Sequence, residues 1–340
     1  MDGNSAYRHT NTAILSVTAA EPPHVVTSAS FDEILGPTFD RVGMRTGLLE
    51  GLAGIYERRW WADGTRFSDG AVEAAESAIE TSGVDRDRIG LMINSSVSRE
   101  HLEPSTAVEI HHRLGMPTSC TNFDLANACL GFVNGMHLAA TMIDAGHIDY
   151  ALVVDGEDAR PVQERTLRRL SQPDASTEDV MNEFASLTLG SGGAAMVLGR
   201  IDKHPEAHRL VGGISRAATE HHTLCIGDND SMRTDTKGLL DAGLELAEAA
   251  WKEALLDNEW QDMDCYVLHQ VSSVHTSALC QRLGIDTAKV PLTFPTFGNI
   301  GPASVPFTLA REVESLNRGD RVLCMGIGSG LNTAFCEITW

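Results

Sequence analysis

The sequence predicts a layered α/β fold, and three features carry that reading. From about Ser68 onward, short apolar runs of strand type alternate with helical patterns, the order that builds sheets covered by helices. The same rhythm recurs in the second half of the chain. The full length of 340 residues suits one large domain or two ordinary ones. The halves are set at 1–204 and 205–340, alike in pattern and not in visible identity.

Taken in order, Asp69 to Thr81 puts Val72, Ala75 and Ile79 on one face and reads as a helix. Ile89-Gly-Leu-Met-Ile-Asn reads as a buried strand, Pro104 to Leu114 as a helix stopped by Gly115, and Thr121 to Leu125 as a strand. Asn127 to Ala145 reads as a long helix ended by Gly146. Its small residues Gly131, Gly135 and Ala139 share one face, which lets a second backbone approach and marks a central helix. Tyr150 to Val154 and Ala194 to Leu198 are strands, and between them lies a charged insertion, 158–186. It carries Arg165, Arg168 and Arg169, then the acidic run Asp174 to Glu183, and reads as helical. An insertion of this kind either covers a binding site or is a solvated excursion. The second half reads as strand Arg209 to Ile214, helix Lys237 to Leu256, strand Asp264 to Leu268 and helix Ser272 to Leu283. Helix Pro306 to Leu316 and closing strands Arg321 to Gly326 and Asn332 to Thr339 complete it.

Composition removes several classes of function. With 26 Lys+Arg against 47 Asp+Glu the formal net charge is −21, the wrong sign for binding a nucleic-acid backbone. The N-terminus shows no basic region followed by an apolar run, so no secretory signal is expected. The longest charge-free stretch, Val290 to Ala310, contains Pro291, Pro295, Pro302 and Pro306 and cannot be a continuous membrane helix. Seven scattered cysteines with no CxxC pair fit a reducing cytosol better than a disulfide framework or a zinc site. The adjacent pairs His111-His112 and His221-His222 diverge on a helix, so no metal is expected.

Three residues stand where chemistry is done. Cys129 lies where the strand ending near Leu125 hands over to a helix. A thiol among the first residues of that helix would feel its positive end, with a lowered pKa and a raised thiolate fraction. The plain alternative is a small buried apolar residue. His269 ends the apolar run Tyr266-Val-Leu, at a strand C-terminus where α/β folds place ligand contacts. Asn299 sits in Phe297-Gly-Asn-Ile-Gly-Pro-Ala-Ser, a turn whose glycines alone would explain an asparagine.

Together the three segments Asn-Ala-Cys-Leu-Gly-Phe, Leu-His-Gln and Gly-Asn-Ile-Gly-Pro-Ala-Ser resemble the Cys–His–Asn condensing enzymes of the thiolase superfamily. The branch they resemble is ketoacyl-ACP synthase III. Leu189-Gly-Ser-Gly-Gly-Ala-Ala and Gly326-Ile-Gly-Ser-Gly-Leu extend the likeness over essentially the whole chain. The resemblance implies a thiolase fold, two pseudo-repeated α/β halves in a five-layered αβαβα sandwich. It also implies coenzyme A thioesters as substrates and no permanently bound cofactor. Cys129 would accept an acyl group, with the N–H groups of Cys129 and about Ser329, beside Gly328, as an oxyanion hole. His269 and Asn299 would hold the enolate oxygen of the second donor in a Claisen condensation.

How the carbanion forms turns on Glu103. Malonyl donors yield it by losing CO2, whereas a non-decarboxylating condensation must remove an α-proton and needs a base. Priming synthases usually carry an apolar residue at this point, just before Pro104-Ser-Thr-Ala. A glutamate here is similar to the OleA type of olefin-pathway enzyme, which joins two fatty acyl-CoAs head to head. The likeness implies a cytoplasmic homodimer in which Glu103 reaches the partner's active site, with downstream olefin-pathway enzymes as further partners. The plainer reading makes Glu103 a carboxylate at a helix N-terminus, with Pro104 as the first helical residue.

Leu48 and Leu52 stand where priming synthases have a tryptophan and an arginine for the CoA nucleotide, so those contacts do not carry over. Arg58 and Arg59 remain candidates for framework or phosphate roles. Cys324 resembles the second cysteine of thiolases, but those enzymes have histidine in place of Asn299, and a buried strand-end cysteine fits better. The excess of acid disfavours an acidic carrier protein unless Arg165, Arg168 and Arg169 offer a basic patch. Two alternatives stay open: a decarboxylating ketoacyl-ACP synthase III using malonyl-ACP, and a non-catalytic partner subunit of a condensing complex.

Overall fold

The structure, a computed structural model, describes residues 4–228 and 230–340. The chain opens with strands β1 (Ser5–Arg8), β2 (Thr12–Ala20) and β3 (His24–Thr27), then helix α1 (Ser28–Val42), a π-helical turn (Leu49–Ala53) and strand β4 (Glu57–Trp60). Helix α2 (Phe67–Ser82), strand β5 (Ile89–Asn94), helix α3 (Thr106–Arg113), strand β6 (Thr121–Asp124) and helix α4 (Gly131–Asp144) follow. Next come β7 (Tyr150–Glu157), α5 (Arg160–Leu170), α6 (Thr177–Leu187) and β8 (Gly192–Arg200). The chain continues with β9 (His208–Ala217), the hairpin β10 (Cys225–Gly227) and β11 (Met232–Thr234), α7 (Thr236–Ala254), β12 (Cys265–Leu268) and α8 (Ser273–Leu283). It closes with α9 (Phe294–Phe297), α10 (Ser304–Glu312), β13 (Arg321–Gly328) and β14 (Asn332–Thr339).

Ten strands form one mixed sheet in the order β12-β13-β14-β9-β2-β8-β7-β5-β6, with β1 paired to β9. Its two wings meet through a short stretch, Ala13 opposite Arg209 and Ile14 opposite His208. One apolar core draws on both wings and on α4 and α10: Leu91, Ile93, Val153 and Met196 from one, Val267, Val322 and Cys324 from the other. These two helices therefore lie between the wings. The outer face of the first wing packs on α2 and α3 through Ala71, Ala75, Ala78, Ala107 and Ile110. The outer face of the second packs on α7 and α8 through Ala247, Trp251, Cys280 and Leu283. Helix, sheet, helix, sheet, helix make five layers, because each apolar strand of a wing presents side chains to both faces.

The central helix is shorter than its pattern suggests. It begins at Gly131, and Cys129 lies in the turn before it, not in its first residues. Ala128 has φ +45° and is the single non-glycine residue with positive φ among those described, which interrupts the helical run. Likewise α3 starts at Thr106 after Ser105, so Pro104 and Glu103 lie outside it, on the preceding loop. The charged insertion forms α5 and α6. Leu167, Leu170, Val180 and Leu187 from these helices pack on Phe31, Leu35 and Phe39 of α1 in a satellite core. The first 66 residues hold β1 to β4, α1 and the π-turn, elements the periodicity does not reveal.

A partly buried polar knot ties the N-terminal strand to α4. His9 Nε2 lies 3.2 Å from His137 Nδ1 and His9 Nδ1 lies 3.3 Å from Asp144 Oδ2, while the Tyr7 ring stacks on His137 at 3.6 Å. Burial and the neighbouring His9 push His137 down to about 4. The folded chain thus holds this ring neutral where an unfolded histidine begins to protonate. Its contribution is complete above about pH 6.5 and is lost as pH falls toward 4. His137→Gln is expected to flatten the fall in Tm between pH 6.5 and 4, as read by thermal unfolding at several pH values; an unchanged slope would contradict it.

Candidate active site

The site is assembled at the inner ends of the central strands and helices. Cys129 is presented by the Ala128 turn, and this turn fits only because its neighbours lack side chains. A Cβ on Gly131 would stand 2.8 Å from the Ser95 carbonyl, and one on Gly328 would stand 2.7 Å from the Asn127 carbonyl. The turn is further braced by Asn127, which donates to Asn134 Oδ1 at 2.6 Å and accepts from Asn332 Nδ2 at 3.2 Å. Gly328, with Ser329 next to it, ends β13 against the nucleophile turn.

Strand β13 also places His269, whose N–H donates to the Met325 carbonyl at 2.8 Å just beyond the end of β12. Asn299 is fixed by backbone bonds on both sides, its N–H to Thr188 O at 2.9 Å and its carbonyl from Gly190 N–H at 2.8 Å. Its Oδ1 accepts from Gly301 N–H at 3.0 Å and meets His269 Nε2 at 3.1 Å. A backbone donor on that atom identifies it as the amide oxygen, so the imidazole donates from Nε2. His269 Nδ1 is then the bare nitrogen, and it is buried with no hydrogen-bond partner among the described residues. Burial pushes His269 down to about 4, which keeps it a neutral imidazole at neutral pH.

Two carboxyls unforeseen in the sequence lie on the same side of β7, at its C-terminal end. Asp155 and Glu157 are buried. Glu157 accepts from Val97 N–H at 2.5 Å, Ser98 N–H at 3.1 Å and Ser98 Oγ at 2.6 Å. Burial nonetheless lifts Glu157 to about 7 and holds Asp155 well above the ordinary carboxyl range. Glu157 is also the foremost charge acting on Cys129. A Cβ on Gly301 would come within 3.7 Å of its carboxyl carbon. Bonds and close approaches link the Cys129 turn, Gly328, β13, His269, Asn299, Gly301 and Glu157 in a ring that the electrostatic influence of Glu157 on Cys129 closes. A signal was available in the sequence, since Asp155 and Glu157 end an otherwise apolar strand run.

The expectation of a lowered thiol pKa is overturned. Cys129 keeps some surface open, yet burial, with Glu157, Cys225 and Asp155 nearby, pushes its thiol up to about 12. The resting nucleophile is a protonated thiol, so a thiolate forms only as the proton leaves. Iodoacetamide is therefore expected to alkylate resting Cys129 slowly at pH 7, with a rate still climbing at pH 9; a plateau below pH 7 would contradict this.

The remaining candidates are placed as follows. Glu103 is exposed on the loop between β5 and α3, and within one chain it does not join the ring around Cys129. Leu102 beside it is 96% exposed. Arg58 is wholly buried; it donates to Ser28 Oγ at 3.0 Å and Leu187 O at 3.1 Å, and lies 4.5 Å from the Phe31 ring centroid. It is a framework residue with no face left for a ligand phosphate. Arg58→Ala is expected to cost about 3 kcal/mol of stability, measured by denaturant unfolding, because it strands those acceptors; a loss under about 1 kcal/mol would contradict this. Arg59 pairs with Glu57 at 2.9 Å and sits over the Phe297 ring. Cys324 is fully buried in the inner core, opposite Cys336.

A cysteine turn at the head of a central helix, facing a His–Asn pair in a five-layered α/β sandwich, is the arrangement of thiolase-superfamily condensing enzymes. Sequence comparison agrees with the geometry. Residues 123–211 match the 3-oxoacyl-[acyl-carrier-protein] synthase III family and residues 256–340 its C-terminal family. The acyl-CoA:acyl-CoA alkyltransferase of Xanthomonas campestris is 47% identical over 97% of this chain and 99% of its own. That of Shewanella oneidensis is 34% identical over 94% and 95%. A crystal structure of a Cys-to-Ser variant of Xanthomonas campestris OleA, with bound lauric acid and lauroyl-CoA, superposes with a TM-score of 0.95 at 46% identity. It covers 98% of this chain and 100% of that one. Beta-ketoacyl-[acyl-carrier-protein] synthase III of Natranaerobius thermophilus is more distant, at 26% identity over 97% of this chain and 99% of its own. The chain is an acyltransferase of the thiolase superfamily, ketoacyl synthase III-like in fold. Within that class it belongs to the OleA family of acyl-CoA:acyl-CoA alkyltransferases.

Proposed function

We propose that the protein joins two fatty acyl-CoAs head to head by a non-decarboxylating Claisen condensation, giving a 2-alkyl-3-keto acid. The observation that carries the reading is Glu103, an acid on an exposed loop, combined with the ring around Cys129. Residues 1–204 supply Cys129 and Glu103, and 205–340 supply His269 and Asn299.

In the first half-reaction the Cys129 sulfur attacks the thioester carbonyl while its proton passes to the departing thiolate of coenzyme A. The N–H groups of Cys129 and Ser329 receive the oxyanion, with Gly328 allowing the close approach. Coenzyme A leaves with a proton, and the acyl group stays on sulfur. A second acyl-CoA then loses an α-proton to Glu103 of the partner subunit. Its enolate oxygen is held by the side-chain amide N–H of Asn299 and by the Nε2–H of His269, which is then shared between that oxygen and Asn299 Oδ1. The α-carbon attacks the acyl-cysteine carbonyl, the C–S bond breaks, and the Cys129 sulfur takes up a proton as Glu103 releases the one it removed, so that both groups return to their starting states. Water finally cleaves the product thioester to the β-keto acid and coenzyme A.

Coenzyme A enters as substrate and no resident cofactor takes part. Among the described residues no helix is long and apolar enough to cross a membrane. All seven cysteines are free thiols, which supports a cytoplasmic location. The enzyme acts as a homodimer, a reading supported by the exposed Leu102–Glu103 tip, and olefin-pathway enzymes that act on the keto acid are its downstream partners. The test is purified enzyme with lauroyl-CoA alone, its products analysed by mass spectrometry. Coupled keto acid, or the ketone it decarboxylates to, is expected. Condensation only after malonyl-ACP is added, with CO2 released, would replace this reading with the priming-synthase one.

A further inference from the structure

We propose that Glu157 is a positioning residue for the condensation step: its carboxylate holds the Val97–Ser98 backbone and thereby sets the loop that presents Glu103. The inference rests on the reading of Glu103 given above and deepens it. The loop runs from Asn94, at the end of β5, to Thr106, at the start of α3. Its root is fixed by Ser95, whose N–H donates to Val154 O at 2.9 Å and whose hydroxyl donates to Asp155 Oδ2 at 2.6 Å. Its far end is fixed by Asp124, which accepts from Thr106 N–H and Ala107 N–H at 2.9 Å each.

Between these anchors the backbone bends away from the sheet, and Glu157 takes up two of its N–H groups and the Ser98 hydroxyl. Arg99 then closes the bend on the carbonyls of Ser96 and Ser98. Residues 101–104 beyond it are all exposed. The same carboxylate faces Gly301, whose N–H orients the Asn299 amide. One buried group therefore bonds the loop of the base and lies beside the turn that holds the enolate. An amide in its place would aim a donor at backbone donors, so at least one of these bonds must break. Misplacing a base by about 1 Å costs on the order of a hundredfold in rate.

Glu157→Gln is tested in the full-length enzyme with lauroyl-CoA. Acylation of Cys129 is read by intact-protein mass in a single turnover, and condensation by product formation. Hydrogen exchange is read on peptides covering 96–105 and 131–144. Condensation is expected to fall ten- to a hundredfold further than acylation, with KM changed less than about threefold and faster exchange confined to 96–105. Ser98→Ala, which keeps the carboxylate and drops one bond, is expected to give an intermediate loss and serves if the first variant does not fold. Equal losses in both half-reactions, or faster exchange in the 131–144 helix as well, would overturn the proposal in favour of a general structural role. Wild-type enzyme that is acylated and never couples would instead overturn the Claisen reading, and this proposal with it.

Discussion

Cys129→Ala is expected to abolish coupling of acyl-CoA, by at least about 10⁴-fold, and to leave no acyl-enzyme on the intact protein. The size of the effect follows from the architecture. Sulfur is the atom to which the first acyl group is bound, and the neighbouring groups cannot replace it. His269 is neutral and donates from Nε2 to Asn299. Cys225, the other thiol that acts on Cys129, lies on the β10–β11 hairpin, outside the turn built around Gly131 and Gly328. Folding should be unaffected, since alanine is smaller and accepts the same backbone. Acylated protein recovered from this variant would relocate the nucleophile.

Glu103→Gln is expected to separate the two half-reactions. Cys129 should still be acylated at nearly the wild-type rate, because nothing in the first step requires Glu103. Coupling should fall on the order of 10²- to 10⁴-fold, the usual worth of a positioned general base. Glutamine keeps the size of the side chain and its exposure, so a change in packing does not explain such a loss. Equal coupling by wild type and variant would return Glu103 to the role of a surface carboxylate.

Much of this arrangement was legible in the sequence, and the failures have physical causes. The long apolar and small-residue runs that became β5, β7, α4 and β13 were readable because burial keeps polar residues few within them. Strand β2 is hidden in the sequence, although it joins the two wings, because Thr12, Ser16 and Thr18 give it the look of a polar segment. Those hydroxyls are satisfied by carbonyls of α4 and α2. Helix α1 carries Pro37 in its interior, which argues against a helix by local rules.

At the site, the order of Cys129, His269 and Asn299 was visible, and the local chemistry of the cysteine was not. A positive φ at Ala128 cannot be read from an alanine, and it moves Cys129 off the helix. Its thiol pKa depends on Glu157 and Asp155, which come from a strand far along the chain. Glu103 stands out by its neighbours in sequence, while its isolation within one chain is a property of the fold.

The account stands most directly on whether Glu103 of one subunit serves Cys129 of the other. The measurement is to mix and re-equilibrate subunits of Cys129→Ala and Glu103→Gln, each inactive in coupling alone, and assay with lauroyl-CoA. In a mixed dimer one site pairs an intact Cys129 with the partner subunit's Glu103, and the other site has neither. Coupling should therefore return to about a quarter of the wild-type rate at statistical mixing, since half the dimers are mixed and each has one working site. No recovery, in dimers shown by mass to have exchanged, would contradict donation across the interface.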